Sequence, residues 1–179
     1  MAVALIGSTL PAGAQGFGLG SDAPTEIESD KLEVFDRDKT AVFTGNVTLV
    51  QGKLLLKTVK MTVFYKEAAA GSGATPADAS AGSSAGGSTE VERMLAEGKV
   101  YIEQSGQVVT GDRGEFEVTK GLLVVTGKEV VLTEGGNVVV GCRFTSNQKS
   151  GESQVDSCPR ESGGGRVKML LQPGSSAQP

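Results

Sequence analysis

Histidine is absent from the 179 residues, and so is tryptophan. The first absence removes the commonest general base, the commonest metal ligand and the base of Ser-His and Cys-His nucleophile pairs. Catalysis would have to rest on carboxylates, lysine or tyrosine alone, so the chain reads as a non-enzyme without a cofactor. With no histidine and only two cysteines, a zinc site lacks ligands. No glycine loop followed by Lys-Ser or Lys-Thr is present to cradle a nucleotide phosphate. Positive charge is also in short supply. The net charge of −4 leaves no basic stripe to neutralise phosphates, which argues against nucleic acid as a partner. No apolar run reaches the roughly 20 residues that span a bilayer as a helix, so a soluble mature protein is expected. Any affinity for lipid must then come from apolar surface or from local cations. Aromatics make up 4% of the chain against 26 glycines. That balance favours strands and turns over a dense helical core.

What is present is a phrase that returns three times. It reads Thr44-Gly45-Asn46-Val47-Thr48-Leu49, then Glu97-Gly98-Lys99-Val100-Tyr101-Ile102, then Thr126-Gly127-Lys128-Glu129-Val130-Val131-Leu132. Each copy reads as a glycine turn opening an alternating strand. The last two glycines lie twenty-nine residues apart, and the first two do so at nearly the same spacing once the low-complexity run 68–90 is set aside. A β-rich unit of about thirty residues is the implied repeat, and such units must stack to bury their apolar faces.

Three segments fall outside the repeat. Residues 1–14 hold a short apolar run ending in Ala12-Gly13-Ala14, a small-x-small pattern of the kind signal peptidase cuts. The basic n-region is missing, so the run reads as a signal-peptide remnant or, alternatively, as an Ala/Gly leader; 15–24 continue as a flexible leader. Residues 68–90 are rich in Ala, Gly, Ser and Thr and bury too little apolar surface to offset their ordering entropy. They read as a loop inserted within one domain spanning 25–171, since the repeat resumes in phase, with an interdomain linker as the alternative. Residues 172–179 are tail. Cys142 and Cys158 agree with an exported chain. A hairpin turning near Ser150 places them opposite one another within disulfide range, the alternative being two thiols that merely pack.

Alternation then assigns faces. Glu26, Glu28 and Asp30 share an acidic face against Thr25, Ile27 and Ser29, and a change of parity before Leu32 and Val34 requires a bend near Ser29 to Lys31. A flat carboxylate row does not wrap a cation, so no calcium site is expected. In the long strand 54–66, Leu55, Val59, Met61, Val63 and Tyr65 share one face and Thr58, Lys60 and Thr62 the other. Further on, an even-numbered face carries Val100, Ile102, Val108, Phe116, Val118, Val130, Leu132, Val138 and Val140. Turns are expected at 35–40, at Gln51-Gly52, at Ser105-Gly106, at Lys120-Gly121 and at Gly135-Gly136. Strands joined by such turns, with no convincing helix, imply an all-β fold. It should be an elongated antiparallel stack of repeated short strands, a twisted roll or a flattened barrel.

The stretch Ile27-Glu28-Ser29-Asp30, followed fifteen residues later by Gly45-Asn46-Val47, resembles the periplasmic lipopolysaccharide-transport bridge proteins, the LptA/OstA-like family. The repeated Gly-x-Val strands and Gly111-Asp112-Arg113-Gly114-Glu115-Phe116 extend the resemblance over 25–171. It implies an elongated antiparallel β-jellyroll, open at both ends, in the periplasm, whose apolar lining holds lipopolysaccharide acyl chains. It also implies partners: an inner-membrane-anchored component, an outer-membrane receptor, and further copies stacked head to tail. On that basis the expected lipid-contacting residues are Ile27, Val34, Val47, Leu49, Val59, Met61, Val63, Val100, Ile102, Phe116, Val118, Val130 and Leu132. The expected docking edges are Thr25, Ile27 and Ser29 at one end and Val167, Met169 and Leu171 at the other. Read without the resemblance, the same alternation is the ordinary core of a β-sandwich. The competing class is therefore a structural β-repeat such as an adhesin or envelope scaffold.

Overall fold

The computed structural model describes residues 24–67, 89–159 and 165–172. The signal-like segment, most of the 68–90 insert and the tail beyond 172 lie outside these residues. The described residues form ten strands: β1 (Thr25–Glu28), β2 (Lys31–Phe35), β3 (Thr40–Gln51), β4 (Leu54–Glu67), β5 (Thr89–Gln104), β6 (Gln107–Glu117), β7 (Leu122–Glu134), β8 (Asn137–Asn147), β9 (Glu152–Asp156) and β10 (Lys168–Leu170). They make one antiparallel sheet in the order β1-β3-β4-β5-β6-β7-β8-β10, with β2 also on β3 and β9 also on β8. From β3 to β8 the chain is a simple meander. Its tight turns fall where glycine allows them. Ser105-Gly106 and Gly135-Gly136 both have φ > 0 at each central residue, the backbone that matches the twist of a two-residue hairpin.

The three repeated phrases do not open strands. They lie inside β3, β5 and β7, which is why the central strands run from 11 to 16 residues. Each phrase is a bulge. Register slips between Thr44 and Val47, between Glu97 and Val100, and between Thr126 and Val130, and the partner strands slip at the same level. Gly45 and Gly98 sit at φ +82, and the residues after them, Asn46 and Lys99, are also left-handed. Glycine is required at the first position because a side chain there is strained.

Aligned side by side, these bulges form a fold line that divides the sheet into two leaves. The first leaf holds β1, the 47–51 end of β3, the matching ends of β4 to β8, and β10. The second holds β2, the 40–44 end of β3, the other ends of β4 to β8, and β9. The edge strands show the division most plainly. β1 and β2 are separate strands that pair with opposite ends of β3, and β9 and β10 do the same on β8. The bend expected near Ser29 is this break.

The leaves fold toward one another. Val47, Leu49, Val100, Ile102, Val109 and Val130 of the first leaf join Met61, Val63, Met94, Phe116, Leu123, Val125 and Phe144 of the second in one apolar cluster. Leu49, Ile102, Val109 and Val125 are fully buried, each contributing about 1.5–3 kcal/mol relative to exposure. The bulges also flip parity. In β4, Leu54 and Thr58 are buried on one side of the fold line and Met61 and Val63 on the other, so no single face runs the length of the strand. In β6 the flip makes Val109, not Val108, the core residue before Phe116.

Candidate functional site: an apolar inner face open at both edges

Register converts the inner face into rows. In the first leaf, Ile27 pairs with Leu49, Leu49 with Leu56, Leu56 with Ile102, Ile102 with Val109, Val109 with Leu132, Leu132 with Val139, and Val139 with Met169. This apolar row crosses eight strands from one edge of the sheet to the other. In the second leaf the row is Leu32, Phe43, Met61, Ala96, Gly114, Val125, Phe144 and Val155. A neighbouring row runs Val34, Ala41, Val63, Met94, Phe116, Leu123, and ends in Ser146 beside Ser153. A small cavity lies between the leaves, where Leu56 and Ile102 face Met61, Met94, Phe116 and Leu123. Beyond the first leaf's row the lining turns polar, with Thr25, Gln51, Gln104, Gln107, Glu134 and Asn137 sharing one register line with Leu54.

The three apolar rows carry no charged residue, and ion pairs lie on the outer side. Glu97 lies between Lys60 at 3.7 Å and Arg113 at 3.1 Å, and Arg93 pairs with Glu115 at 3.1 Å while its guanidinium stacks 4.2 Å from the Phe64 ring centroid. The Tyr101 phenol is held above its ordinary pKa, first because its hydroxyl donates to the Glu103 carboxylate at 2.8 Å. No group of three or more His, Cys, Asp or Glu that could hold a metal ion comes together among the described residues.

Of the residues expected to line a lipid path, Ile27, Val47, Leu49, Met61, Val63, Val100, Ile102, Phe116, Val118, Val130 and Leu132 belong to this inner cluster or pack against it. Val34 shares the inner register but is 57% exposed, because β2 is an edge strand that pairs with β3 alone among the described residues. Val59 is placed differently from the expectation. It is 49% exposed on the outer side of the fold line, where it packs over the bulge at Gly98, and the inward position before it belongs to Thr58. Alternation across Val59, Met61 and Val63 fails because β4 slips there. The expectation also passed over Leu54, Leu56, Val109, Val125 and Phe144, all on the inner side. For Val109 the signal was Gly111, which lies in the register slip between Thr110 and Arg113 that changes parity in β6.

Among the described residues, the inner face stays uncovered at the sheet's edges. Met169, on the row that begins at Ile27, is 62% exposed, and Leu32 is 42% exposed. Val167 and Leu171 are exposed beside Met169. The expected disulfide forms, with Cys142 and Cys158 4.8 Å apart at Cα. The β8–β9 ladder pairs Asn147 with Glu152 and Arg143 with Asp156, so the cysteines lie just past its end, one register step from directly opposite.

An unclosed antiparallel sheet folded into two leaves over an apolar interior defines the open β-jellyroll class. The chain belongs to the LptA/(LptD N-terminal domain) LPS transport protein family, whose sequence pattern it matches over residues 26–152. That description is of a transport protein, in agreement with the non-enzymatic reading. It is 40% identical over 185 residues to an uncharacterized protein of Rhizobium meliloti (strain 1021), covering 98% of this chain and 90% of the relative. A 49-residue stretch, 27% of this chain and 82% of the relative, is 39% identical to an uncharacterized protein in the rpoN-linked probable transport protein 5'region of Rhizobium etli. Among solved structures the fold is similar to LptH of Pseudomonas aeruginosa, the LptA-homologous periplasmic component of its lipopolysaccharide transport device. That match has a TM-score of 0.62 at 18% identity and covers 85% of this chain and 97% of LptH.

Proposed function

We propose that this protein works in the periplasm, holding the acyl chains of lipopolysaccharide on its inner face and passing them along a head-to-tail stack of copies. The stack would link an inner-membrane-anchored component to an outer-membrane receptor. Exposing one methylene to water costs about 0.8 kcal/mol, so a carrier has to cover acyl chains while leaving the sugars wet. The observation that carries the reading is the apolar row from Ile27 to Met169, which reaches both edges of the sheet without meeting a charged residue.

Stacking follows from the same row. Neighbours in the eight-strand order alternate in direction, so β1 and β10 run oppositely and one copy's β10 can add to the next copy's β1 as another antiparallel strand. With Met169 opposite Ile27, Val167 falls opposite Ser29 and Leu171 opposite Thr25. Lys168 then falls opposite Glu28, a favourable cross-strand pair. The inner row continues from copy to copy, and the unpaired edges that ordinarily invite aggregation become the joint.

In-cell photo-crosslinking tests the lipid path. Probes go at Val63, buried on the inner face, and at Thr62 and Val59, which point outward. A lipopolysaccharide adduct at Val63 alone is expected. A folded, exported protein with no adduct at Val63 would overturn the proposal in favour of a structural β-repeat.

A further inference from the structure

One contact recurs along the fold line at a fixed spacing. The Asp30 carboxylate accepts a hydrogen bond from Asn46 Nδ2 at 2.9 Å, and the Asp30 N–H donates to the Gly45 carbonyl at 2.9 Å. Asp112 accepts from the Lys128 backbone N–H at 2.8 Å. In both cases an aspartate, Asp30 in the break between β1 and β2 and Asp112 in β6, holds the bulge of the neighbouring strand across a sequence separation of 16, the donor being the Asn46 side chain in the first and the Lys128 backbone in the second. Cys142 and Cys158 are also separated by 16. They stand one repeat on: Gly141-Cys142 follows Gly111-Asp112 by thirty residues, and Cys158 follows Lys128 by thirty. The sulfurs also touch the preceding clasp. Cys142 Sγ lies 3.0 Å and Cys158 Sγ 3.8 Å from the carbonyl oxygen of Lys128, the residue whose N–H Asp112 holds. Oxidised sulfur carries no proton, so these are packing contacts.

We infer that the disulfide is the covalent member of this series of clasps, and that Cys142 and Cys158 are positioning residues for the edge strands β9 and β10. The place explains the covalent form. The Asp112 clasp has a long ladder on either side, whereas beyond β8, among the described residues, five of β9 and three of β10 are paired. At this edge the chain must also pass from the second leaf to the first, and Gly165 returns so close to the Cys158 carbonyl that any side chain at 165 would overlap it. One bond fixes the crossing and, with it, the strand that the proposed stacking uses.

The test compares Cys142→Ala/Cys158→Ala with Cys142→Asp/Cys158→Asn, which copies the Asp30–Asn46 pair. Hydrogen exchange is read at β9 and β10, and self-association by sedimentation. The alanine pair should speed exchange at both edge strands by about tenfold or more, leave β5 to β7 as in wild type, and weaken self-association. The Asp/Asn pair should recover most of both losses. Wild-type edge protection in the alanine pair would overturn the inference. So would an Asp/Asn pair indistinguishable from it, since a plain staple cannot be rescued by a hydrogen bond. If the alanine pair does not fold, reduced wild type replaces it, its two thiols formed as dithiothreitol closes to its own disulfide. A wild type that never self-associates would sink the stacking proposal, while the exchange measurement still decides the clasp.

Discussion

Replacing Gly45 and Gly106 separately with alanine isolates what the fold-line clasp is worth. The two glycines have nearly the same backbone, φ +82 and φ +87, but different surroundings. Nothing lies within 4 Å of the position a Cβ would take at Gly106, whereas at Gly45 it would overlap the Asp30 carboxylate and come within 2.9 Å of Asp30 Cβ. Gly106→Ala therefore carries the backbone penalty alone, about 1 kcal/mol. Gly45→Ala carries the same penalty and must also displace Asp30 from Asn46. That bond is charge-assisted but exposed, so about 1–2 kcal/mol more is at stake. Urea unfolding should show a loss of about 2–3 kcal/mol for Gly45→Ala against about 1 kcal/mol for Gly106→Ala, with m unchanged. In an Asp30→Gly background, which removes the Cβ as well as the carboxylate, the cost of Gly45→Ala should fall to that of Gly106→Ala. Equal losses for the two single variants would refute the idea that Asp30 clasps the bulge.

Three other outcomes are expected. Thr58 donates its hydroxyl toward the Glu97 and Gly98 carbonyls at 2.9 and 3.2 Å, so Thr58→Val, similar in size, should cost about 1–2 kcal/mol in the same unfolding assay. Lys168→Glu should weaken self-association measured by sedimentation, and Glu28→Lys in the same chain should restore it; failure of the rescue would exclude the Met169–Ile27 register. The raised Tyr101 pKa should fall toward 10 in Glu103→Gln, followed by phenolate absorbance, because the acceptor loses its charge. The sign is that of an acid kept neutral by folding: the Tyr101–Glu103 contribution to stability is full below pH 10 and disappears as pH rises through the raised value.

The sequence was legible wherever one residue determines its own backbone. Gly-containing pairs at 105–106 and 135–136 gave the hairpins, Ser29 to Lys31 gave the break between β1 and β2, and the cysteine spacing gave the disulfide. The inner face was legible in pieces, because alternation is a sound guide only between bulges. The repeated Thr-Gly-Asn-Val and Glu-Gly-Lys-Val phrases read as turns because a left-handed glycine serves a turn and a bulge equally well. Only the neighbouring strand distinguishes them, and that pairing is not local. Val59 shows the consequence: one slip in β4 carried it from the inner side to the outer, and Thr58 took the inward place. The stretches that carried the family resemblance hold the fold-line contacts of Asp30, Gly45 and Asp112 and, beside them, the inner residues Ile27, Val47 and Phe116.

The hairpin turns also set an order of assembly. β5 to β8 are joined by turns of a few residues, so their ladders can zip from local contacts at small entropic cost. β4 and β5 must instead close over the twenty-one residues between Glu67 and Thr89. The chain should therefore nucleate toward its C-terminal side and add the β3–β4 hairpin last. Pulse-labelled amides of β7 and β8 should gain protection before those of β3 and β4. In a chain exported N-terminus first, the part that emerges earliest would then wait, unpaired, for the part that emerges later.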